Sequence, residues 1–300
     1  MMRVAAIILS LPLVVASIFA LSFRANNRNN GSIVVGGKTR EYLIHLPPGY
    51  DRARPAPLVI SMHGAGGWPA QQMRMTRWND LADRERFIVV YPAGADAAGP
   101  RIWRVSDARY IAALLDKLES EYNIDRSRIY ANGFSNGGGM AAVLACTMPN
   151  RLAAVGLVGA AHTEPWRWCH NPRPIPMISI HGTADRFAPF EGGPSPVAPA
   201  SHPFPSIATW ATKWAARNHC TSTATTRTAA VTRTTYSHCT ANDDVILEAI
   251  AGAGHQWVGG NPLPTYFVGP DPRTLDTTAE LWSFFRAHRL SVAPAILPAI

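Results

Sequence analysis

The sequence predicts an α/β fold in which helices cover both faces of a mostly parallel sheet. Short apolar runs such as Pro57–Met62 and Phe87–Tyr91 have the length and composition of buried strands. Segments with apolar residues at helical spacing, such as Asp107–Tyr122, alternate with these runs. Strands that alternate with helices typically form parallel sheets covered on both sides. With 300 residues the chain can form one large domain.

The remaining elements are predicted by the same patterns. A strand at Glu41–Leu46 precedes Pro47-Pro48-Gly49. Further core strands are predicted at Arg128–Ala131, Val155–Val158, Pro176–Ile180 and Val245–Ile250. Helices are predicted at Gly138–Met148 and at Thr277–Ala287, the second with a capping box of Thr277 and Glu280. The β-branched residues of Thr221–Thr235 favour a hairpin.

The N-terminus has the pattern of a secretory signal. Arg3 precedes the apolar stretch Val4–Leu21, and Ala20-Leu21-Ser22 offers small residues for cleavage. The stretch is also just long enough to span a bilayer, so an uncleaved anchor is the alternative. Either way we expect a secreted, extracellular or periplasmic protein that contacts the membrane only through an uncleaved N-terminal segment.

Composition and charge argue for a globular protein without a nucleic-acid partner. Hydrophobic residues make up 47% and charged residues 16% of the chain. The formal net charge is +8, but Lys and Arg are scattered and form no run of five or more. A basic stripe, the usual footprint of nucleic-acid binding, is therefore not expected.

The four cysteines predict disulfides, because an even number in an exported chain is typical of them. Pairing Cys146 with Cys169 and Cys220 with Cys239 is favoured, since each pair closes a short local loop. No two cysteines have the C-x-x-C spacing of a zinc site, so no metal is expected.

The strongest chemical signal is Gly133-Phe134-Ser135-Asn136-Gly137, which matches G-x-S-x-G. A predicted strand precedes it and a predicted helix follows it, the setting that this motif requires in the α/β-hydrolase fold. The flanking glycines accommodate a strained turn that exposes the serine hydroxyl. The motif therefore predicts Ser135 as a nucleophile.

A serine nucleophile needs a base and an orienting carboxylate, which follow it in the order acid, then histidine. His255 lies in the glycine loop Gly252-Ala253-Gly254 after the strand Val245–Ile250, and is the preferred base. Asp185 follows the strand Pro176–Ile180 and is the preferred acid, since functional groups of such sheets follow strand ends.

The oxyanion hole is expected to consist of backbone N–H groups. One donor is the residue after the nucleophile, Asn136. The second is expected in the glycine loop His63–Gly67 after the strand Pro57–Met62, with Ala65 preferred and Gly64 or Gly66 as alternatives.

Seven strings carry a resemblance to a known family. They are YLIHLPPGY, PLVISMHGAGG, FIVVYPAG, RIYANGFSNGGGM, ISIHGTAD, GAGHQWVGG and ELWSFF, in order between residues 40 and 287. Together they resemble the secreted polyhydroxybutyrate depolymerase and feruloyl esterase group of α/β-hydrolases. The resemblance implies a triad of Ser135, Asp185 and His255 that needs no metal or organic cofactor.

Two departures from the family concern the surroundings of the site. The stretch between Trp103 and the helix at Asp107 is much shorter than usual, so the family's substrate preference does not transfer. Asn132 stands where a smaller residue is usual. Tryptophans near the motifs suit an aromatic, sugar or polyester substrate, with ordinary loop packing as the alternative. The candidates for substrate binding are Trp68, Trp103, Trp168 and Trp257, with Trp166 nearby.

These observations predict a serine esterase that hydrolyses carboxylic esters of a polyester, or of an acylated polysaccharide or its fragments. A serine peptidase, an acyltransferase, and a noncatalytic glycan-binding protein on the same fold are the alternatives. Residues 1–24 are expected to be the signal or anchor, and 25–39 a linker and the start of the domain. Residues 40–290 would form the catalytic domain, and 291–300 a mobile tail.

Overall fold

A mixed β-sheet is the centre of the computed structural model, which describes residues 29–95, 101–160, 169, 173–197 and 203–290. Its strands are β1 (Gly31–Val35), β2 (Lys38–His45), β3 (Ala56–Met62), β4 (Ile88–Pro92), β5 (Ile124–Phe134), β6 (Ala154–Val158), β7 (Met177–Gly182), β8 (Ser222–Arg227), β9 (Val231–Ser237) and β10 (Val245–Ile250). They lie in the order β1-β2-β4-β3-β5-β6-β7-β10-β9-β8.

Six central strands are parallel to one another, and they lie side by side in the order β4-β3-β5-β6-β7-β10. Antiparallel strands extend both edges: β2 and β1 on one side, β9 and β8 on the other. Because parallel strands end at the same side of a sheet, the loops after β3, β5, β6, β7 and β10 converge there.

Helices cover both faces of the sheet. They are α1 (Pro69–Thr76), α2 (Trp78–Glu85), α3 (Ala108–Glu121), α4 (Asn136–Thr147), α5 (Ile207–Arg217), α6 (Thr265–Val268) and α7 (Thr277–Arg286), with three-residue 3-10 helices at Val105–Asp107, Pro149–Arg151 and Thr240–Asn242. Apolar residues of α3, α4 and α5 pack in one core. Those of α1, α2 and α7 pack in a second core on the opposite face.

The strands supply both cores by alternation. In β3, Leu58 and Ile60 belong to the first core and Val59 to the second, and all three are fully buried. A strand buried on both faces requires a continuous apolar run, which is why PLVISM could be recognised as a strand. This is the predicted α/β architecture.

The structure corrects several predicted boundaries. The segment 25–39, expected to hold a linker and the start of the domain, includes a strand that was not predicted, because β1 begins at Gly31 and pairs with β2. Helix α4 begins at Asn136 rather than Gly138, so the glycine run lies inside it. The N-cap of α7 is Asp276, whose side chain accepts from the N–H of Ala279, rather than Thr277. Helices α1, α2, α5 and α6 were not predicted.

Both disulfides join the cysteines that the short loops favoured. Cys146 in α4 is bonded to Cys169, and Cys220 before β8 is bonded to Cys239 after β9. The second bond closes the β8–β9 hairpin, which begins within the predicted Thr-rich segment and ends two residues after it.

Some predicted features lie outside the described residues: the signal or anchor, the first part of the linker, the tail, and Trp166 and Trp168. Within the described ranges, none of the helices combines the length and apolar character needed to cross a bilayer.

Candidate active site

Ser135 occupies a sharp turn between β5 and α4. Its backbone has φ 53° and ψ −122°, a conformation that non-glycine residues rarely adopt. The N–H of Ser135 donates to the carbonyl of Val158 at 2.8 Å, which ties the turn to the end of β6. The residue is partly exposed, so the strained turn presents its hydroxyl group at the carboxyl end of the sheet.

The two glycines of the motif are required by close backbone packing. A Cβ on Gly133 would lie 2.2 Å from the carbonyl carbon of Gly137. A Cβ on Gly137 would lie 2.2 Å from the carbonyl oxygen of Met62. No side chain fits at either distance, so the turn can form only with glycine at these positions.

His255 and Asp185 lie on neighbouring loops, after β10 and β7. The Nδ1 of His255 lies 2.7 Å from Oδ2 of Asp185, and both residues are buried. The His255 ring packs against Phe134 and Phe187, at centroid distances of 4.7 and 4.8 Å. These contacts hold the imidazole with Nδ1 toward the carboxylate, which leaves Nε2 available to another partner.

The Asp185 carboxylate is held by backbone as well as by histidine. Its Oδ1 accepts hydrogen bonds from the N–H groups of Phe187 and Ala188, at 2.7 and 2.9 Å. Burial alone would raise the pKa of Asp185, but hydrogen bonds from His181 and His255 outweigh burial and lower it. Asp185 is therefore ionised at neutral pH.

Ser135 and His255 line the same cavity, which has a volume of about 740 Å³. Ala65 and Asn136 line it too, so the cavity brings the candidate nucleophile, base and both preferred oxyanion donors together. Much of its wall is apolar, with side chains of Phe134, Met140, Val143, Phe187, Leu263 and Phe267. Such a cavity suits a ligand with a large apolar part.

Hydrogen bonds fix the loop that carries Ala65. The N–H of Gly66 donates to the carbonyl of Arg101 at 2.8 Å, and Trp103 Nε1 donates to the carbonyl of His63 at 2.9 Å. Among the described residues, neither Ala65 nor Asn136 donates its N–H to another backbone carbonyl. Both N–H groups are therefore available to a ligand.

The side chain of Asn136 connects the serine turn to the same loop. Its Oδ1 accepts from the N–H of Trp103 at 2.6 Å, and its Nδ2 donates to the carbonyl of Trp103 at 3.2 Å. The two loops that carry the candidate oxyanion donors are thus joined through one residue. Sequence reasoning missed this connection, because an asparagine in G-x-S-x-G carries no specific signal.

Of the described tryptophans predicted to bind substrate, Trp103 lines the cavity, whereas Trp68 and Trp257 do not. Trp103 borders the cavity but is only 5% exposed, because its indole is held over the glycine loop. Trp257 is buried in the second core, where its Nε1 donates to Thr278 at 2.9 Å, and it does not line the cavity. Trp68 precedes α1 and does not line the cavity either. Trp168 lies outside the described residues.

Other aromatic residues that line the cavity were missed in the sequence. Phe187 follows Asp185 by two residues, and its ring packs edge-on against Phe267 of α6 at 5.2 Å. Phe267 is 65% exposed, an unusual value for phenylalanine that is explained by its place at a cavity wall. Proximity to Asp185 was the one available signal for Phe187.

Metal binding has no structural support in the described part of the chain. Within it, no group of three or more His, Cys, Asp or Glu side chains is arranged to hold a metal ion.

Comparison with known proteins agrees with the geometry. Residues 40–165 match the family profile of the esterase PHB depolymerases. NocK of Nocardia uniformis subsp. tsuyamanensis, named provisionally as an esterase, is 29% identical over 82% of this chain and 78% of its own length. Feruloyl esterase C of Aspergillus oryzae, also a provisional name, is 31% identical over 61% of this chain and 64% of its own length.

Solved structures support the same fold. The acetyl xylan esterase from Aspergillus awamori matches 72% of this chain and 89% of its own, with a TM-score of 0.54 and 18% identity. At that identity the match establishes the α/β-hydrolase fold alone. The family profile and the sequence relatives show that the chain is similar, over part of its length, to the esterase PHB depolymerases and to proteins named as feruloyl esterases.

Proposed function

We propose that this esterase hydrolyses carboxylic esters through Ser135, His255 and Asp185. One observation carries the proposal: a single cavity contains Ser135 on its strained turn and His255, whose Nδ1 lies 2.7 Å from an ionised Asp185. A hydroxyl, an imidazole and a buried carboxylate in this arrangement are the components of nucleophilic acyl transfer.

In the first step, His255 Nε2 takes the proton from Ser135 Oγ as this oxygen bonds to the ester carbonyl carbon. The carbonyl π electrons move to oxygen, and the N–H groups of Ala65 and Asn136 stabilise that oxyanion. The intermediate then expels the alkoxide, which takes the proton from His255. Water attacks the acyl-enzyme by the same route, and releases the acid and the Ser135 hydroxyl.

Asp185 contributes by orientation and charge. Its hydrogen bond to Nδ1 fixes the tautomer that leaves Nε2 free to accept a proton, and its negative charge stabilises the imidazolium. Because the hydrogen bonds to Asp185 lower its pKa, this charge is present at neutral pH.

The substrate is proposed to be an ester with an apolar or aromatic part, as in a polyester or an acylated polysaccharide. The relative named as a feruloyl esterase is consistent with this class. The apolar wall around Phe187 and Phe267 supports an aromatic or aliphatic group beside His255. Export is part of the proposal, since two disulfides form readily only in an oxidising compartment.

Hydrolysis of p-nitrophenyl acetate, p-nitrophenyl butyrate and methyl ferulate by wild type and Ser135→Ala tests the function. We expect turnover by wild type, and a loss on the order of 10⁶-fold in kcat for the variant. The variant should keep its thermal unfolding profile, since the hydroxyl is partly exposed. Equal turnover by both proteins would exclude Ser135 as the nucleophile. Cleavage of peptides but not esters would favour a peptidase.

A further inference from the structure

A second histidine contacts the carboxylate that orients His255. His181 is the penultimate residue of β7, four positions before Asp185, and its side chain is completely buried. Its Nε2 lies 3.3 Å from Oδ2 of Asp185, the same oxygen that lies 2.7 Å from His255 Nδ1. One carboxylate oxygen therefore lies between two imidazole rings.

The hydrogen-bond partners of His181 determine where its proton resides. Nε2 also lies 2.8 Å from the carbonyl oxygen of Ala188, which can only accept a hydrogen bond. Nε2 must therefore carry a proton. Nδ1 is buried and, within the described ranges, has no hydrogen-bond partner, so a proton there would be an unsatisfied donor. The geometry thus favours the tautomer with its proton on Nε2.

Through this one N–H group, His181 contacts both ends of the turn that carries Asp185. Ala188 donates its N–H to Oδ1 of Asp185 and accepts from His181 with its carbonyl. The carboxylate, the turn and the end of β7 form a closed set of hydrogen bonds. His181 does not line the cavity in the described structure, so it is not placed to contact the substrate.

We propose that His181 is a positioning residue. Its Nε2–H holds the Asp185 carboxylate in the orientation that accepts the hydrogen bond from Nδ1 of His255. This inference rests on the proposed function, because it assigns a role within the same site. The His181 N–H also stabilises the negative charge of Asp185, so that this charge attracts a proton to His255 less strongly. Among the described residues, the titratable groups that act on Asp185 are these two histidines.

His181→Phe and His181→Gln form the test pair. Phenylalanine fills the buried space without a donor, whereas glutamine keeps an N–H group near the position of Nε2. For p-nitrophenyl butyrate we expect His181→Phe to lower kcat by about 10- to 100-fold, the range for loss of a hydrogen bond to a charged group. We expect His181→Gln to recover most of that loss, with little change in KM.

The pH profile separates positioning from a structural role. Without the His181 donor, the full charge of Asp185 acts on His255 and favours its protonated form. The acid limb of kcat/KM should therefore move to higher pH in His181→Phe and stay near the wild-type position in His181→Gln. Rates are normalised to the fraction of Ser135 that a fluorophosphonate labels, so partial misfolding does not imitate the effect.

Several outcomes would overturn the inference. Wild-type kcat and an unmoved pH profile in His181→Phe would do so, as would a loss of kcat with the acid limb unchanged. If His181→Phe does not fold, a ¹⁵N-histidine NMR spectrum of wild type tests the inference instead. A proton on Nδ1 of His181, rather than on Nε2, would contradict it. Failure of the proposed function would differ from all of these, because wild type itself would then lack Ser135-dependent turnover.

Discussion

His63 illustrates how one buried residue shapes the oxyanion loop. Its Nε2 accepts from the N–H of Gly94 at 2.9 Å, and its Nδ1 contacts the carbonyl of Gly64 at 2.7 Å. The ring therefore joins the loop after β3 to the loop after β4. Burial lowers the pKa of His63 to about 4, because a charged imidazole would lose its hydration there. His63 is thus neutral at the pH at which esterases act.

This shift predicts a pH-dependent loss of stability. Unfolded His63 binds a proton below pH ~6.5, but the folded protein does so only below about pH 4. Unfolding therefore takes up a proton between these values, and stability falls as the pH drops through this window. From pH 7 to pH 4.5 the His63 contribution should lower the unfolding free energy by on the order of 2 kcal/mol.

Denaturant unfolding of wild type and His63→Gln at both pH values measures this contribution. Glutamine cannot titrate, yet its amide oxygen can accept from Gly94. The variant should therefore lose less stability than wild type between pH 7 and pH 4.5. An equal loss in both proteins would show that His63 does not titrate in this window.

At the residue scale, the sequence predicted the candidate site residues that belong to motifs. It missed residues whose role depends on their contacts in the folded protein. Ser135, Asp185 and His255 could be chosen because chain order and strand ends constrain them. His181 was passed over, since its role depends on the 3.3 Å approach to Asp185 that no spacing rule encodes. Trp257 was chosen only for its nearness to His255 in sequence, but its side chain packs in the second core.

At the element scale, the junction between β5 and α4 depends on close packing of the first turn of α4 against the end of β3. Helix α4 begins at Asn136, and its first turn contacts the backbone at the end of β3. The sequence pattern placed the helix start two residues later, at Gly138, and glycine ordinarily weakens a helix. Tertiary packing reverses that preference here, since only glycine permits so close an approach.

Gly137→Ala tests this packing. A Cβ there would meet the carbonyl oxygens of Met62 and His63, at 2.2 and 2.5 Å. These are backbone atoms, so relief requires β3 or α4 to move, and we expect a destabilisation of about 3 kcal/mol. Activity should also fall, because the moved strand end carries the oxyanion loop. Thermal unfolding and p-nitrophenyl acetate hydrolysis measure the two effects.

Gly36→Asn is the matched control. Gly36 and Gly37 form the two-residue turn between β1 and β2, where Gly36 has φ +58° and open space around it. Asparagine tolerates this conformation in such turns, so the variant should stay within about 0.5 kcal/mol of wild type. Equal destabilisation by both substitutions would contradict the packing argument.

The edge elements were harder to predict than the central ones. Central strands are buried on both faces, and their continuous apolar runs distinguish them from the rest of the chain. Strand β1 alternates between partly buried and exposed residues and is only five residues long, so its pattern did not predict a strand. Helix α5 was missed, although Trp210 and Trp214 lie four residues apart on its buried face.

At the scale of the whole molecule, the candidate site and the disulfides lie at opposite ends of the sheet. Ser135, Asp185 and His255 follow the carboxyl ends of β5, β7 and β10. Tyr236 near the end of β9 pairs with Val245 at the start of β10, so Cys239 lies near the amino ends of the central strands. Helix α4 runs back from the serine turn, and Cys146 lies near its far end.

This separation predicts that the Cys220–Cys239 bond contributes to stability but not to catalysis. Its two cysteines are 19 residues apart, and opening such a loop in the unfolded state costs about 3 kcal/mol of stability. Cys220→Ala/Cys239→Ala should therefore unfold several degrees below wild type. Its kcat/KM for p-nitrophenyl butyrate should be unchanged at a temperature where both proteins are folded. A folded variant with reduced kcat/KM would instead mean that the hairpin edge transmits strain through β10 to His255.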